Sequence, residues 1–305
     1  MRRAEVVLTL LAASVILSSL RLSDQPTMAA AFVEIDAVVL DRDGHSVHGL
    51  RTEDFVLRED KHVAPVLTVR EIRTSASGAH EPCALAIVLD DTSVLPQGTE
   101  AMQRLAGAFL THATTADRIA VVRWSEDRGE LLFGHISDAF HAIRNYTAHG
   151  DLRFDEPTIS GSLDLLGHVA EQFGDADGRR NTIIAIGNPD LLDPSDEWVR
   201  SHSGSRSRWV STITRLAQAN VALYVVDSNG INGYRPDAED GLAAVSGGKR
   251  FSTLNVDAVL SEIWRDVTNY YVLSYVPLTP RPVHNINLSV TQRGLEVRAR
   301  QQRGE

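Results

Sequence analysis

A chain of 305 residues with a formal charge of −10 has no excess of Lys and Arg to neutralise phosphates, which excludes a nucleic-acid binder of the usual electrostatic kind. With 43% hydrophobic residues and one cysteine, Cys83, it must rest on an ordinary apolar core rather than on disulfides. The length exceeds the roughly 100–150 residues of a typical domain and allows one large domain or two modest ones.

Arg2 and Arg3 precede an apolar run from Val6 to Leu20, which gives way to polar RLSDQPT and small MAAA. The run is shorter than the ~20 apolar residues a spanning helix needs, and it has no amphipathic period. Residues 1–30 therefore read as a signal peptide, cleaved near Ala30 or Ala31. Export to the periplasm, the outer surface or the medium follows, with no stable membrane span after cleavage; the alternative is an uncleaved anchor.

Residues 31–73 form a β segment. FVEIDAVVLD alternates apolar and polar side chains, DRDGHS is turn chemistry around Gly44, EDFVLRED is a second strand and VAPVLTVREI a third. The link TSASGAHEP, Thr74 to Pro82, is small, polar and closed by proline, and marks a boundary.

Residues 83–269 then alternate strands and helices. ALAIVLD is a continuous apolar run suited to a parallel strand buried on both faces, with Cys83 as a small apolar residue at its mouth. EAMQRLAGAFLTHA places Met102, Leu105, Ala106 and Phe109 at helical spacing. DRIAVVRWSED and GELLFGHIS read as a hairpin, so one sheet edge is expected to be antiparallel. A helix capped by Ser137 and Asp138 follows, then one with Leu163, Leu166, Val169 and Phe173 on a single face. NTIIAIGN, VALYVVD and GKRFS supply strands, and VSTITRLAQAN and DAVLSEIWRDVTN supply helices. Such alternation predicts a Rossmann-like, doubly wound α/β domain. Between two of these elements, RSHSGSRSRW, Arg200 to Trp209, reads as a mobile or solvated insertion.

From Tyr270 to residue 305 strands return: YYVLSYVPL, HNINLSVTQ and LEVRARQQ, the last two joined by a tight turn at Arg293 and Gly294. Tyr270 and Tyr271 are expected to split between core and surface. Neither terminal group of strands makes a comfortable sheet alone, so the two ends are predicted to meet in one β-sandwich with the α/β domain inserted between them.

Ligands of open α/β sheets sit at the carboxyl ends of the strands. Loops bearing oxygen ligands reach that edge at Asp90-Asp91-Thr92-Ser93, at Phe154 to Ser162 and at Ile186 to Asp193. Strand alternation turns Asp90 and Asp91 to opposite sides, so they do not serve one ion together. The bland reading has Asp90 capping the first helix or binding nearby amides and Thr158 capping a later helix. Histidines 45, 48, 80 and 202 lack metalloprotease or zinc spacing and read as loop or surface residues. No serine lies in a nucleophile-elbow pattern, and GGK at Gly247 to Lys249 is not a phosphate loop.

In its order of strands and loops the chain resembles the von Willebrand factor type A domain. More closely, it resembles exported bacterial proteins with the acidobacterial-type VWFA-related domain. The residues that carry the likeness are VVLDRDGHSVHGLRTEDFVLREDKH, IVLDDTS, GGKRFS, YYVLSYVP and LEVRARQQRG, which run from about Val33 to the carboxyl end. The resemblance implies a metal-ion-dependent adhesion site built from a D-x-S-x-S loop, a Thr of the second loop and an Asp of the third. Carried over, it implies Asp90, Thr92, Thr158 and Asp190 as ligands of Mg²⁺, with a partner's carboxylate completing the coordination. The pattern is degenerate, because Val94 stands where the second hydroxyl belongs and Asn188 where the third-loop Asp belongs.

The resemblance implies an exported, non-enzymatic protein-interaction or adhesion module for a protein or cell-surface ligand. A metal-independent envelope scaffold is the first alternative. A metal-assisted hydrolase is the second, and it lacks a His in any of the three loops.

Overall fold

The computed structural model describes residues 32–125, 131, 133–150, 155–174, 180–228, 241–252, 255–278 and 283–304. The leader, and residues 126–130 and 132 of the expected hairpin, lie outside these; of its second arm, the described residues show only an isolated bridge at Gly134, and Ile136 and Ser137 belong to a helix. No helix among the described residues is long and apolar enough to cross a membrane.

The amino-terminal strands are β1 (Val33–Leu40), β2 (Phe55–Glu59), β3 (His62–Ala64) and β4 (Val66–Ile72). The α/β region follows as β5 (Ala84–Leu89), α1 (Thr99–Phe109), β6 (Arg118–Arg123), α2 (Ile136–Arg144), α3 (Glu156–Glu171), β7 (Asn181–Gly187), α4 (Pro189–Leu192), α5 (Asp196–Ser201), α6 (Ser203–Gln218), β8 (Val221–Asp227), α7 (Leu242–Val245), β9 (Lys249–Phe251) and α8 (Val256–Thr268). The chain closes with β10 (Tyr270–Tyr275), β11 (Val283–Val290), β12 (Glu296–Ala299) and β13 (Gln302–Gly304).

The central sheet is parallel, in the order β6-β5-β7-β8-β9. Its strands are apolar runs because both faces are covered. Ala86, Val88, Ile183, Ala185, Leu223 and Val225 face one way, into a core with α3, α4, α6 and α7. Their neighbours Leu85, Ile87, Leu89, Ile184, Ile186 and Val226 face the other way, into a core with α1, α2 and α8. This is the doubly wound arrangement expected from the alternation of elements. Beyond β6, an antiparallel bridge joins Ile119 to Gly134.

The two ends of the chain build two facing sheets, β12-β1-β10-β4 and β13-β11-β2-β3. Ile35 and Tyr275 from the first pack on Leu57, Ala64 and Ile286 from the second, so this is the sandwich the sequence implied. Its connections differ in detail from the expected ones. A two-residue turn at Asp60 and Lys61, both with positive φ, makes β2 and β3 a hairpin. Pro65, which has no N–H to give to a ladder, then sends the chain to the other sheet as β4. The turn at Arg293-Gly294 likewise carries β11 into β12 across the sandwich rather than within one sheet.

Tyr270 and Tyr271 are both buried, against expectation. Sheet β12-β1-β10-β4 is covered on both faces: Tyr271 points into the sandwich, while Tyr270 lies with Val38, Leu40, Ile72 and Val272 on the side of the α/β region. Polar bonds cross that side. Asp36 accepts from Asn220 Nδ2 at 2.7 Å, Tyr270 Oη accepts from Arg180 N at 3.3 Å, and Arg300 Nη1 donates to Ala217 O at 2.9 Å.

The stretch Arg200 to Trp209 is a second departure, since it forms the end of α5 and the start of α6. Ser205, Trp209, Thr212, Ile213 and Leu216 form the buried stripe, with α3 as the neighbour. A polar residue at the stripe's start, Ser205, hides its helical period.

Candidate functional site

The strand order reverses at β5. The chain leaving β5 enters α1 on one face, and the chain leaving β7 enters α4 and α6 on the other, so a crevice opens at the carboxyl ends of these two neighbours. Asp90 follows β5 at this point, and its N–H continues the ladder to Ile186 O at 3.0 Å. Its side chain is 0% exposed and is held by donors alone. Oδ1 accepts from Thr92 N at 3.1 Å, Thr92 Oγ1 at 3.3 Å and Ser93 N at 2.8 Å. Oδ2 accepts from Ser93 Oγ and from Asn188 N at 3.2 Å. Charge-assisted bonds of this kind replace the water a buried carboxylate has lost.

Glycine makes this packing feasible. A Cβ at Gly187 would lie 2.3 Å from Asp90 Cβ, and one at Gly150 would lie 1.7 Å from Thr92 O. From beneath, Tyr146 Oη donates to Asp90 O at 2.8 Å, and burial followed by the charges of Asp90 and Asp91 pushes that phenol's pKa up.

Asp91 turns the other way, as alternation requires. It accepts from Ser125 N at 2.9 Å and from Ser125 Oγ, and His149 Nδ1 stands 3.9 Å from its Oδ2. The His149 side chain is 60% exposed.

The remaining expected ligands have other company. Thr158 sits in the first turn of α3, where its N–H donates to Asp155 Oδ1 at 2.9 Å and its hydroxyl donates to the same atom. Asp155, not Thr158, is thus the cap of that helix. Similarly Asp138, expected at the start of α2, caps it from inside by accepting from His135 N at 3.1 Å. Asp190 Oδ1 accepts from Arg250 Nη2 at 3.1 Å, and its N–H donates to Asn188 Oδ1 at 3.0 Å. Asn188 therefore links the third loop to Asp90 through its backbone and to Asp190 through its side chain.

Val94 is buried in the α1 side of the core, where a hydroxyl would lack a partner. The second hydroxyl on Asp90 comes instead from Ser93, one residue earlier than the D-x-S-x-S spacing places it. Mg²⁺ requires near-octahedral oxygen coordination. Of the expected ligands, Thr92 is bonded to Asp90 itself, while Thr158 is bonded to Asp155 and Asp190 to Arg250. At the same edge, α1, α8 and the end of β8 enclose a cavity of about 350 Å³ lined by Leu105, Val226, Asp227 and Val259.

No family model matches the chain, and neither does any curated protein. Among solved structures it is similar to manganese-loaded Plasmodium vivax TRAP protein, at 10% identity and a TM-score of 0.39, over 81% of this chain and 98% of that one. It is also similar to proximal thread matrix protein 1 of the mussel byssus, at 13% identity and a TM-score of 0.39, over 65% of this chain and 49% of that one. These are distant likenesses. They carry no residue role and no ligand to this chain.

Proposed function

We propose that the chain is an exported, non-enzymatic protein-interaction module of the von Willebrand factor type A kind, which meets its partner at the carboxyl edge of the parallel sheet. The observation that carries this reading is the Asp90 loop: a carboxylate at the strand switch point, ringed by Thr92, Ser93 and Asn188, which fixes a preformed surface. The site is degenerate, and Asp90 holds the loops in shape through protein donors rather than through an ion. Among the described residues of this edge, Ser125 gives its hydroxyl to Asp91.

A photo-crosslinking residue at His149, in the producing cell, tests the edge, and one at Leu67 on the sandwich, 46% exposed, serves as the comparison. A discrete adduct at position 149 and none at position 67 is expected. The reverse would reject the edge and favour the metal-independent scaffold. Calorimetry with Mg²⁺ and Mn²⁺ addresses the ion separately: saturable binding lost in both Asp90→Ala and Thr158→Ala would mean that the adhesion site is intact and not degenerate.

A further inference from the structure

The amino ends of the same strands hold a second cluster. Cys83 immediately precedes β5, Asp117 immediately precedes β6, and His80 belongs to the link that joins the sandwich to the α/β region. One ligand atom from each lies within 4.8 Å of the others. All three side chains are buried, that of His80 being 7% exposed and that of Asp117 0%.

The hydrogen bonds leave one place unfilled. His80 Nδ1 lies 2.9 Å from Glu81 O, and since a carbonyl only accepts, Nδ1 is the protonated nitrogen. In the neutral ring Nε2 then carries a lone pair. That atom has no hydrogen-bond partner and stands 3.7 Å from Asp117 Oδ2, so two acceptors face each other across a buried gap. The carboxylate is well oriented: Oδ2 accepts from Thr114 N at 2.6 Å and Thr114 Oγ1 at 3.0 Å, and Oδ1 from Cys83 N at 2.9 Å. Cys83 Sγ donates to Oδ1 at 3.2 Å. Trp264 walls the imidazole, its ring centre 5.8 Å away.

We propose that His80 Nε2, Cys83 Sγ and Asp117 bind a zinc-class divalent cation, with a fourth position left to solvent. Mixed nitrogen, sulfur and oxygen donors suit Zn²⁺ and its spectroscopic substitute Co²⁺, and do not suit Mg²⁺. The bond from His80 Nδ1 to a carbonyl is the outer contact that commonly orients a ligating imidazole. On binding, the Cys83 S–H bond breaks and its proton leaves to solvent, an S–metal bond forms, and Asp117 Oδ1 regains the lone pair the thiol had occupied. Metal binding at a thiol releases its proton, so affinity here should rise with pH. The bound ion would pin the 73–82 link to the first two strands of the parallel sheet.

The test uses the full chain, stripped of metal, with Zn²⁺ titrated against a chromophoric chelator and Co²⁺ followed by absorption. One equivalent of Zn²⁺ is expected, with a thiolate-to-cobalt charge-transfer band. Cys83→Ser should abolish the band. His80→Gln and Cys83→Ser should each weaken Zn²⁺ at least about tenfold and remove the rise in melting temperature that Zn²⁺ gives the parent. His112→Gln, whose ring lies on Trp264 6.0 Å away but is exposed, should change neither readout. No stoichiometric Zn²⁺ on the folded parent would overturn the proposal and leave an imidazolium–carboxylate pair in its place. Equal affinity in parent, His80→Gln and Cys83→Ser would overturn it too.

Discussion

The two ends of the parallel sheet handle the same group in different ways. At the carboxyl end, Asp90 is surrounded by donors from Thr92, Ser93 and Asn188, all of its own chain. At the amino end, Asp117 has donors from Cys83 and Thr114 on one side, and on the other the buried His80 Nε2, which has no hydrogen-bond partner, 3.7 Å away. Burial by itself therefore does not mark a binding site. A buried carboxylate whose neighbours all donate is a structural tie, whereas one beside a buried polar atom without a partner is a place to look for something brought from outside.

Substitutions can break this comparison. The largest effect is expected for Gly150→Ala, whose methyl group would overlap Thr92 O and push the Asp90 loop out of place. Urea unfolding should show a loss of at least about 3 kcal/mol. Asp90→Ala should cost about 2–4 kcal/mol, since it strands the backbone amides of Thr92, Ser93 and Asn188. Asp117→Ala strands those of Cys83 and Thr114 only and should cost roughly 1 kcal/mol less when no metal is present. Equal losses would remove the contrast drawn here. Asp155→Ala should lower stability by about 1 kcal/mol through the lost cap of α3, with the carboxyl-edge loops otherwise intact.

A separate effect concerns alkaline pH. Burial, opposed by Arg180, raises the Tyr224 phenol from 10.0 to about 12, and burial followed by Asp36 does the same for Tyr270. In the unfolded chain these phenols lose their protons first. The stability they confer is complete below about pH 10 and is lost as pH rises toward 12. Absorbance at the phenolate band should show both ionising together with unfolding; early ionisation without unfolding would contradict their burial.

Much of the fold could be read from periodicity. The apolar runs ALAIVLD, NTIIAIGN and VALYVVD became β5, β7 and β8, and the helical spacing of Met102, Ala106 and Phe109 became the buried face of α1. What escaped depended on partners remote in sequence. Ser205 hid the buried stripe of α6, and nothing local showed that Tyr270 would be covered by the α/β region. In the Asp90 loop the acid and Thr92 were legible. Ser93 was legible as an oxygen ligand of the loop but not as the hydroxyl on Asp90, because a motif spacing directed attention to position 94, and Ser125 and Tyr146 reach the site from other elements. His80 and Cys83 lie three residues apart, but only the fold brings Asp117 beside them.

The pairing of β1 has a consequence for the chain's own synthesis. Ala37 pairs in register with Tyr271 on one side and with Ala299 on the other, so among the described residues the strand earliest in the chain is completed by strands made more than two hundred residues later. At about 5–20 residues per second of translation, β1 waits on the order of 10–50 s with both edges open. During that interval an apolar, unpaired strand is an invitation to wrong partners. Survival of the nascent chain then depends on whatever holds that strand apart until its neighbours arrive, and changes that only slow elongation past β9 should lower yield without altering the finished molecule.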